Sequence, residues 1–444
     1  MRLVTPRPTE DRWRAIAPGR VNLIGEHTDY NGLPVLPIAI DRDVRIEFTV
    51  VDDGAVRLDS PVPRFAPLEF QLKRPIEAAD QGDWSNYVRA AARGLNEHGV
   101  ELRRGIEGTV TGDVPIASGL SSSSALVVAS ALALLKANGV AVAGVAGLEG
   151  HPAAPAGPGL SRLELAAVMA RAERFVGLQG GGMDQAACLH GVAGHALRID
   201  FDPLGVTPVA VPEGWRWVVA SSLVRAEKAA GARDAYNVRA KQCREALALG
   251  AGGAPTYRDL AGANDLDGLI AHARRALTPV LFRRFRHVVT EGRRVALAED
   301  AMRNGDMGRF GDLMVGSHSS LRDDYEVSTA ELDEIVALAL DAGAAGARLT
   351  GAGFGGCAVA LCDRSTVAPV MEALAARFYA PRLGGPPTRD MMFAAQPSGG
   401  ARVEGGCVTP SPTAFSPCAT ATPADSPPRR NHAEPRRPRR LPPA

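Results

Sequence analysis

The sequence predicts a soluble protein of two or three domains that mixes strands with helices. Three observations predict it. The chain has 444 residues, more than one hydrophobic core usually serves. Residues 14–51 read as strand, whereas most of 225–345 reads as helix. Hydrophobic residues make up 45% and charged residues 22%, enough apolar material for a sizeable core under a charged surface.

The same composition excludes several classes of function. Net charge is +1, so nothing in the body of the chain favours nucleic acid or an anionic membrane. The N-terminal "MRLVTPRPTEDRWR" has no apolar signal core, and no run of 18 apolar residues occurs. None of the six cysteines forms a C-x-x-C pair, which argues against a zinc site or a disulfide framework and suits a reducing cytosol.

Element by element, "DRDVRIEFTV" (41–50) alternates as a half-buried strand. Residues 82–99 repeat apolar positions at a spacing of three and four and close on Gly99, a helix. "GIEGTVTGDVPIASG" (105–119) is strand then loop. "LSSSSALVVASALALLKANG" (120–139) is a helix whose serines are N-cap material. A Gly/Ala/Pro-rich loop spans 140–159. Ser161 then caps a helix, with Glu164 completing a capping box. "GWRWVVASS" is a short buried strand, and "GARLTGAGFGGCAVALC" (346–362) is two strands around a glycine turn. From 396 onward proline, serine, alanine and arginine clusters dominate, so 396–444 is expected to be disordered.

Four stretches point to chemistry. "GRVNLIGEHTDYNG" sets Arg20, Glu26, His27 and Asp29 beside the apolar Val21, Leu23 and Ile24. Such groups are tolerated next to a core only if something satisfies them. "IASGLSSSSALVVAS" places small hydroxyl residues at a helix start, where free N–H groups and the helix dipole favour an anion. Serine hydroxyls are also hard oxygen ligands for a metal ion. "RLTGAGFGGCAVAL" formally matches G-x-G-x-x-G, but a strand follows instead of a helix, so a dinucleotide site is not expected. "LQGGGMDQ" lets the chain bend sharply before Asp184. No Walker A loop, protein-kinase H-R-D or D-F-G, or G-x-S-x-G elbow is present. A phosphate loop, a carboxylate, an arginine and a polar cluster are the parts of phosphoryl transfer to a polyol.

Together these stretches resemble the GHMP small-molecule kinases and, within them, the galactokinases, over roughly residues 14–397. "GRVNLIGEHTDYNG" is similar to the galactokinase signature, "GLSSSSA" to the phosphate loop, "LTGAGFGGCAVAL" to the third motif, and "GGMDQ" to the stretch with the catalytic aspartate. The resemblance implies an α+β fold of two domains facing a cleft. An N-terminal ribosomal-protein-S5-like domain (1–210) would carry the sugar and phosphate loops, and a ferredoxin-like C-terminal domain (211–395) would cover the other side.

The resemblance further implies ATP as phosphoryl donor, Mg²⁺, a soluble cytoplasmic monomer, and no nucleic-acid or membrane partner. Arg20 and Asp184 would be catalytic. Asp184 would take or orient the proton of the C1 hydroxyl, and Arg20 would stabilise developing charge beside the γ-phosphate. Glu26, His27, Thr28, Asp29 and Tyr236 would contact the sugar, carboxylates suiting hydroxyl donors. Ala117, Ser118, Gly119, Leu120, Ser121, Ser122 and Ser123 would form the ATP loop, with Trp84 and Tyr87 beside the adenine. Ser123 and Glu173 would hold Mg²⁺, although Glu173 stands one residue closer to the next aromatic than is usual.

The chain departs from the common pattern at Gly180-Gly181-Gly182-Met183-Asp184, where galactokinases read Cys-Gly-Ile-Met-Asp. "GGGMDQ", "SGLSSSSALV" and "VRAEKAA" are closer to the N-acetylgalactosamine kinase branch. Glycines beside the sugar would leave room for a 2-acetamido group. The reaction the resemblance implies is phosphorylation of α-D-galactose at its C1 hydroxyl, with N-acetylgalactosamine 1-phosphorylation as the alternative and a non-catalytic sugar- and ATP-binding regulator as a second alternative.

Overall fold

Trp13–Asn22 is the strand on which the rest is assembled. In the computed structural model, which describes residues 11–149, 159–177, 180–224, 230–262 and 265–405, this strand pairs with Pro37–Val51 on one side and Arg402–Gly405 on the other. Among the described residues the sheet runs 402–405, 13–22, 37–51, 105–112, 55–59, 68–71. Its pairings are antiparallel except 55–59 with 105–112.

Two helices pack beside this sheet, one upon the other, for reasons written in their sequences. Ser85–Glu97 buries Val88, Ala91, Ala92 and Leu95, one stripe at the helical repeat. Burying Val88 and Leu95 contributes about 1.5–3 kcal/mol each. Ser122–Ala137 is apolar nearly all round and is buried accordingly, against Ser85–Glu97 and the strands 13–22 and 37–51. Its N-terminus is thereby fixed by the core, which matters for the site. Ser161 and Glu164 form the expected reciprocal capping box on helix Arg162–Glu173.

The second sheet runs 346–350, 357–362, 216–221, 392–395, all antiparallel. In chain order this is second, third, first, fourth. Helices connect the first strand to the second and the third to the fourth, the β-α-β-β-α-β ferredoxin-like arrangement. A second apolar core, including Phe285, Tyr325, Leu349 and Phe378, lies against it.

Disorder was expected from 396, and this boundary is corrected. Residues 396–405 are ordered: Ser398 N–H donates to Ala39 O (2.9 Å), Gly400 N–H to Gly191 O (2.7 Å) and Ala401 N–H to Cys188 O (2.8 Å). Ala401 and Val403 are buried. Composition hid this strand because its partners are backbone groups, which any side chain supplies. Residues 406–444 lie outside the described residues.

Candidate active site

Arg20 is aimed by an irregularity. The strand 13–22 shifts register against 37–51 between Pro18 and Arg20, and a bulge re-aims the side chain that follows it. Gly19 is required there: a Cβ would lie 2.8 Å from Leu120 O. The serine loop can thus approach closely, and Arg20 N–H donates to Leu120 O at 3.2 Å. The guanidinium donates from Nη1 to Gly119 O and from Nε to Asp184 Oδ1 at 2.8 Å. Burial opposes its charge, but Asp184 and Glu26 more than offset that and raise its pKa.

Asp184 enters from the first turn of helix Met183–His190. Ser121 Oγ donates to its Oδ2 at 2.5 Å. The three preceding glycines serve different needs. A Cβ on Gly181 would meet Asp29 and Tyr30 backbone at 2.5–2.6 Å, and its N–H donates to Asp29 Oδ2 at 3.0 Å. Gly182 has φ +106°, outside what an isoleucine accepts. Among the described residues nothing lies within 4 Å of a Cβ placed on Gly180. Backbone geometry therefore accounts for two of the three glycines without reference to the size of a sugar.

The serine loop departs from simple capping. Ala117, Gly119 and Ser121 all have positive φ, and Ser121 occupies the N-cap position without capping the helix. Its hydroxyl goes to Asp184 instead, leaving the helix N-terminus to other partners. Ser118 Oγ is spent on Pro115 O (2.6 Å), and Leu120 is buried in the core, so these two offer a ligand only backbone. Ser122 and Ser123 are half-buried at the helix start. Trp84 starts helix Ser85–Glu97, where its indole N–H donates to Ala66 O and its ring packs on Phe65.

Glu173 is buried, not a solvated helix carboxylate. Ser124 Oγ donates to its Oε2 at 2.8 Å and Gln185 Nε2 donates to the same oxygen. Burial and the Asp184 charge push its pKa up to about 7.

The loop that follows Ile24 has mixed roles. Glu26 Oε1 accepts Gly351 N–H at 2.7 Å and faces Arg348 Nη1 at 3.5 Å, while burial raises its pKa. Asp29 accepts from Gly181, and burial together with Asp184 pushes its pKa up to about 6. Tyr236 packs its ring on His27 and Tyr30, with centroids 5.5 and 5.3 Å away. Thr28 corrects the expectation of a sugar contact. It is fully buried, and its single hydroxyl proton is shared between Gly25 O (2.8 Å) and Pro34 O (2.9 Å), closing the loop on itself. Both His27 ring nitrogens face protein partners, Tyr30 Oη at 2.8 Å and Ala352 O at 3.2 Å.

Sequence reasoning missed the supports. Arg348 is fully buried and donates to Asn22 O (3.0 Å) and Ser317 Oγ (3.1 Å). Glu291 accepts Gly25 N–H (3.0 Å), Ser317 Oγ–H (2.5 Å) and Arg294 Nε–H (2.7 Å). Burial opposes its charge, but Arg294, His287 and Arg348 outweigh that and bring its pKa to about 2. A lone arginine in the apolar strand before "TGAGFGG" was the one available signal for Arg348.

The glycine turn joins these groups. A Cβ on Gly351 (φ +84°) would lie 2.7 Å from Gly119 O, and one on Gly356 would lie 2.9 Å from Ser118 O. Its glycines let backbone touch backbone, so the turn braces the serine loop while Gly351 N–H and Ala352 O hold Glu26 and His27.

The chain is similar to known proteins over most of its length. The galactokinase galactose-binding signature matches residues 8–49, the GHMP kinases N terminal domain 86–192, and the GHMP kinases C terminal model 298–380. A galactokinase of Chloroflexus aggregans is 40% identical over 375 residues, 83% of this chain and 88% of that protein. One from Actinobacillus pleuropneumoniae is 35% identical, over 81% and 87%. The crystal structure of Lactococcus lactis galactokinase complexed with galactose superposes with a TM-score of 0.72 at 32% identity, covering 88% of this chain and 94% of that one. Methanococcus jannaschii mevalonate kinase, at 17% identity and a TM-score of 0.56, shares the fold.

Proposed function

The chain belongs to the galactokinase family of the GHMP kinases, ATP-dependent sugar kinases, and on that premise we propose how its residues divide the work. It transfers the γ-phosphoryl group of ATP to the C1 hydroxyl of α-D-galactose, releasing ADP and galactose 1-phosphate. The observation that carries this reading is the Arg20–Asp184 contact, 2.8 Å long, at the start of the serine helix. Asp184 accepts the C1 hydroxyl proton, or orients that hydroxyl, and Arg20 lowers the cost of negative charge developing on the phosphoryl oxygens. Backbone N–H groups at the start of Ser122–Ala137 receive the nucleotide phosphates. Glu26, Asp29 and Tyr236 bind the sugar hydroxyls. Trp84 remains the residue proposed beside the adenine.

The donor set fits Mg²⁺. Among the described residues no cluster of three His, Cys, Asp or Glu side chains could cage a metal. Mg²⁺ asks for less, one or two protein oxygens with water and phosphate completing the shell. Glu173, whose pKa burial and the nearby Asp184 charge push up, and the hydroxyl of Ser123 would supply them. When bound, the ion would neutralise charge on the β- and γ-phosphates.

We place the domain division at 210/211, between strand Gly205–Ala210 and Arg216–Ser221 of the ferredoxin-like sheet; the two parts share an apolar core, in which Trp217, Val219, Val359 and Leu361 belong with Val21 and Ile38. No described helix is long and apolar enough to cross a membrane, and Cys188, Cys243, Cys357 and Cys362 are unpaired, which supports a cytoplasmic enzyme.

The test is ADP release with galactose and with N-acetylgalactosamine, in Mg²⁺ and after chelation, with the product identified by phosphorus NMR. Galactose 1-phosphate formed only with Mg²⁺ is expected. Preferential turnover of N-acetylgalactosamine, phosphorylation at another hydroxyl, or no turnover on either sugar overturns the reading.

A further inference from the structure

A chain of four side chains runs from the core of the second domain to the 25–32 loop. Cys243 Sγ lies 3.0 Å from Tyr325 Oη, Tyr325 Oη 2.7 Å from Tyr30 Oη, and Tyr30 Oη 2.8 Å from His27 Nδ1. Cys243, Tyr325 and His27 are buried, and Tyr30 is half-buried. At the far end His27 Nε2 lies 3.2 Å from Ala352 O.

Elementary valence gives this chain one direction. A carbonyl oxygen only accepts, so Nε2 carries the proton that meets Ala352 O. The imidazole is neutral, because burial and nearby His287 bring its pKa down to about 3. Nδ1 is then a bare acceptor, and Tyr30 donates to it. Tyr30 has one hydroxyl proton, so Tyr325 donates to Tyr30. Tyr325 likewise has one, so the Cys243 thiol donates to Tyr325. No link can be reversed without leaving a buried donor or acceptor unpaired.

Resting on the galactokinase reading, we propose that His27 is a positioning residue: a one-way relay, Cys243 to Tyr325 to Tyr30 to His27, locks its ring as the Nε2–H tautomer. Both ring nitrogens are spent on protein. The relay pins the loop that presents Glu26 and Asp29 to the turn that braces the serine loop. His27 has φ +63°, an unfavoured backbone that such anchoring holds in place. Tyr236 packs on both His27 and Tyr30, so a loop that slips moves the sugar wall with it.

The relay predicts a split in kinetics. Tyr30→Phe leaves Nδ1 without its donor, and the sugar KM rises about tenfold while the ATP KM stays within about twofold. Cys243→Ser keeps a donor and keeps the sugar KM; Cys243→Ala raises it about threefold. The direct test is nitrogen NMR of histidine-labelled wild-type protein. The His27 Nδ1 and Nε2 shifts should report the Nε2–H tautomer without sugar and hold still when galactose is added. His27 shifts that move to a new tautomer or a new hydrogen bond with galactose make the ring a sugar ligand and overturn the proposal. So does an unchanged sugar KM in a folded Tyr30→Phe enzyme. The NMR titration needs no variant, so a Tyr30→Phe chain that fails to fold leaves the proposal open to refutation. Absence of turnover in the wild type would instead remove the galactokinase reading, with the tautomer still decided by NMR.

Discussion

Arg20 Nε donates to Asp184 Oδ1 at 2.8 Å across 164 positions of sequence, and the same guanidinium holds Gly119 O of the serine loop. One side chain thus ties Asp184, the proposed base, to the strand 13–22 and the serine loop. Position is most of what phosphoryl transfer asks of a protein.

Asp184→Asn keeps the shape of the site but removes the carboxylate proposed to accept or orient the C1 hydroxyl proton. Galactose binding, read by calorimetry, should persist within about tenfold, while turnover falls by about 10²–10⁴. Near-normal ADP release in that variant would take Asp184 out of the mechanism.

Arg20→Ala should cost both transfer and stability. Gly119 O and Asp184 would each lose a donor. The loss should be roughly 2–4 kcal/mol, below the figure for a fully buried pair because Asp184 keeps partial exposure. Urea denaturation measures it. An unchanged midpoint would mean that the contact contributes nothing to the fold.

Asp29 supplies a pH signature. Its pKa stands at about 6 in the fold, above its ordinary value, through burial and the charge of Asp184. On the proposed role of this carboxylate as acceptor for the sugar, kcat/KM for galactose should fall as pH drops through about 6. Asp29→Asn should lower kcat/KM and erase that inflection. For this group alone the linkage has the opposite sign: protonation favours the folded state, so stability rises as pH falls through the same range. Loss of activity there is therefore separable from unfolding by a thermal melt at each pH.

Gly351→Ala tests the brace between the turn and the serine loop. A Cβ there meets Gly119 O at 2.7 Å on a residue with φ +84°. The left-handed backbone alone costs about 1–2 kcal/mol. A lower melting temperature and, on the proposed role of the serine loop, a raised ATP KM are expected; a silent substitution would separate the turn from the serine loop.

A chain ending at Ala395 should be less stable than one ending at Gly405. The longer chain keeps the edge strand on Trp13–Asn22 and the burial of Val403. The difference should be at least about 2 kcal/mol by denaturant titration. Equal midpoints would make residues 396–405 dispensable.

Much of the site was legible in the sequence because its signals are local. Capping at Ser161 and Glu164, the apolar stripe of 85–97 and the serine-rich helix start depend on residues three or four apart, and spacing displays them. The clustering of Arg20, Glu26, His27 and Asp29 beside apolar residues announced buried charge with a purpose. Tertiary structure alone decided what satisfies those charges. Arg348 reaches Glu26 and Asn22, Glu291 reaches Gly25, and Tyr325 reaches Tyr30, each across more than 260 positions. Thr28 turned out to close its own loop, and Gly181 to make room for Asp29. The physical reason is that propensity and spacing act along the chain. Desolvation, close packing and hydrogen-bond direction act through space and exist only once distant segments meet.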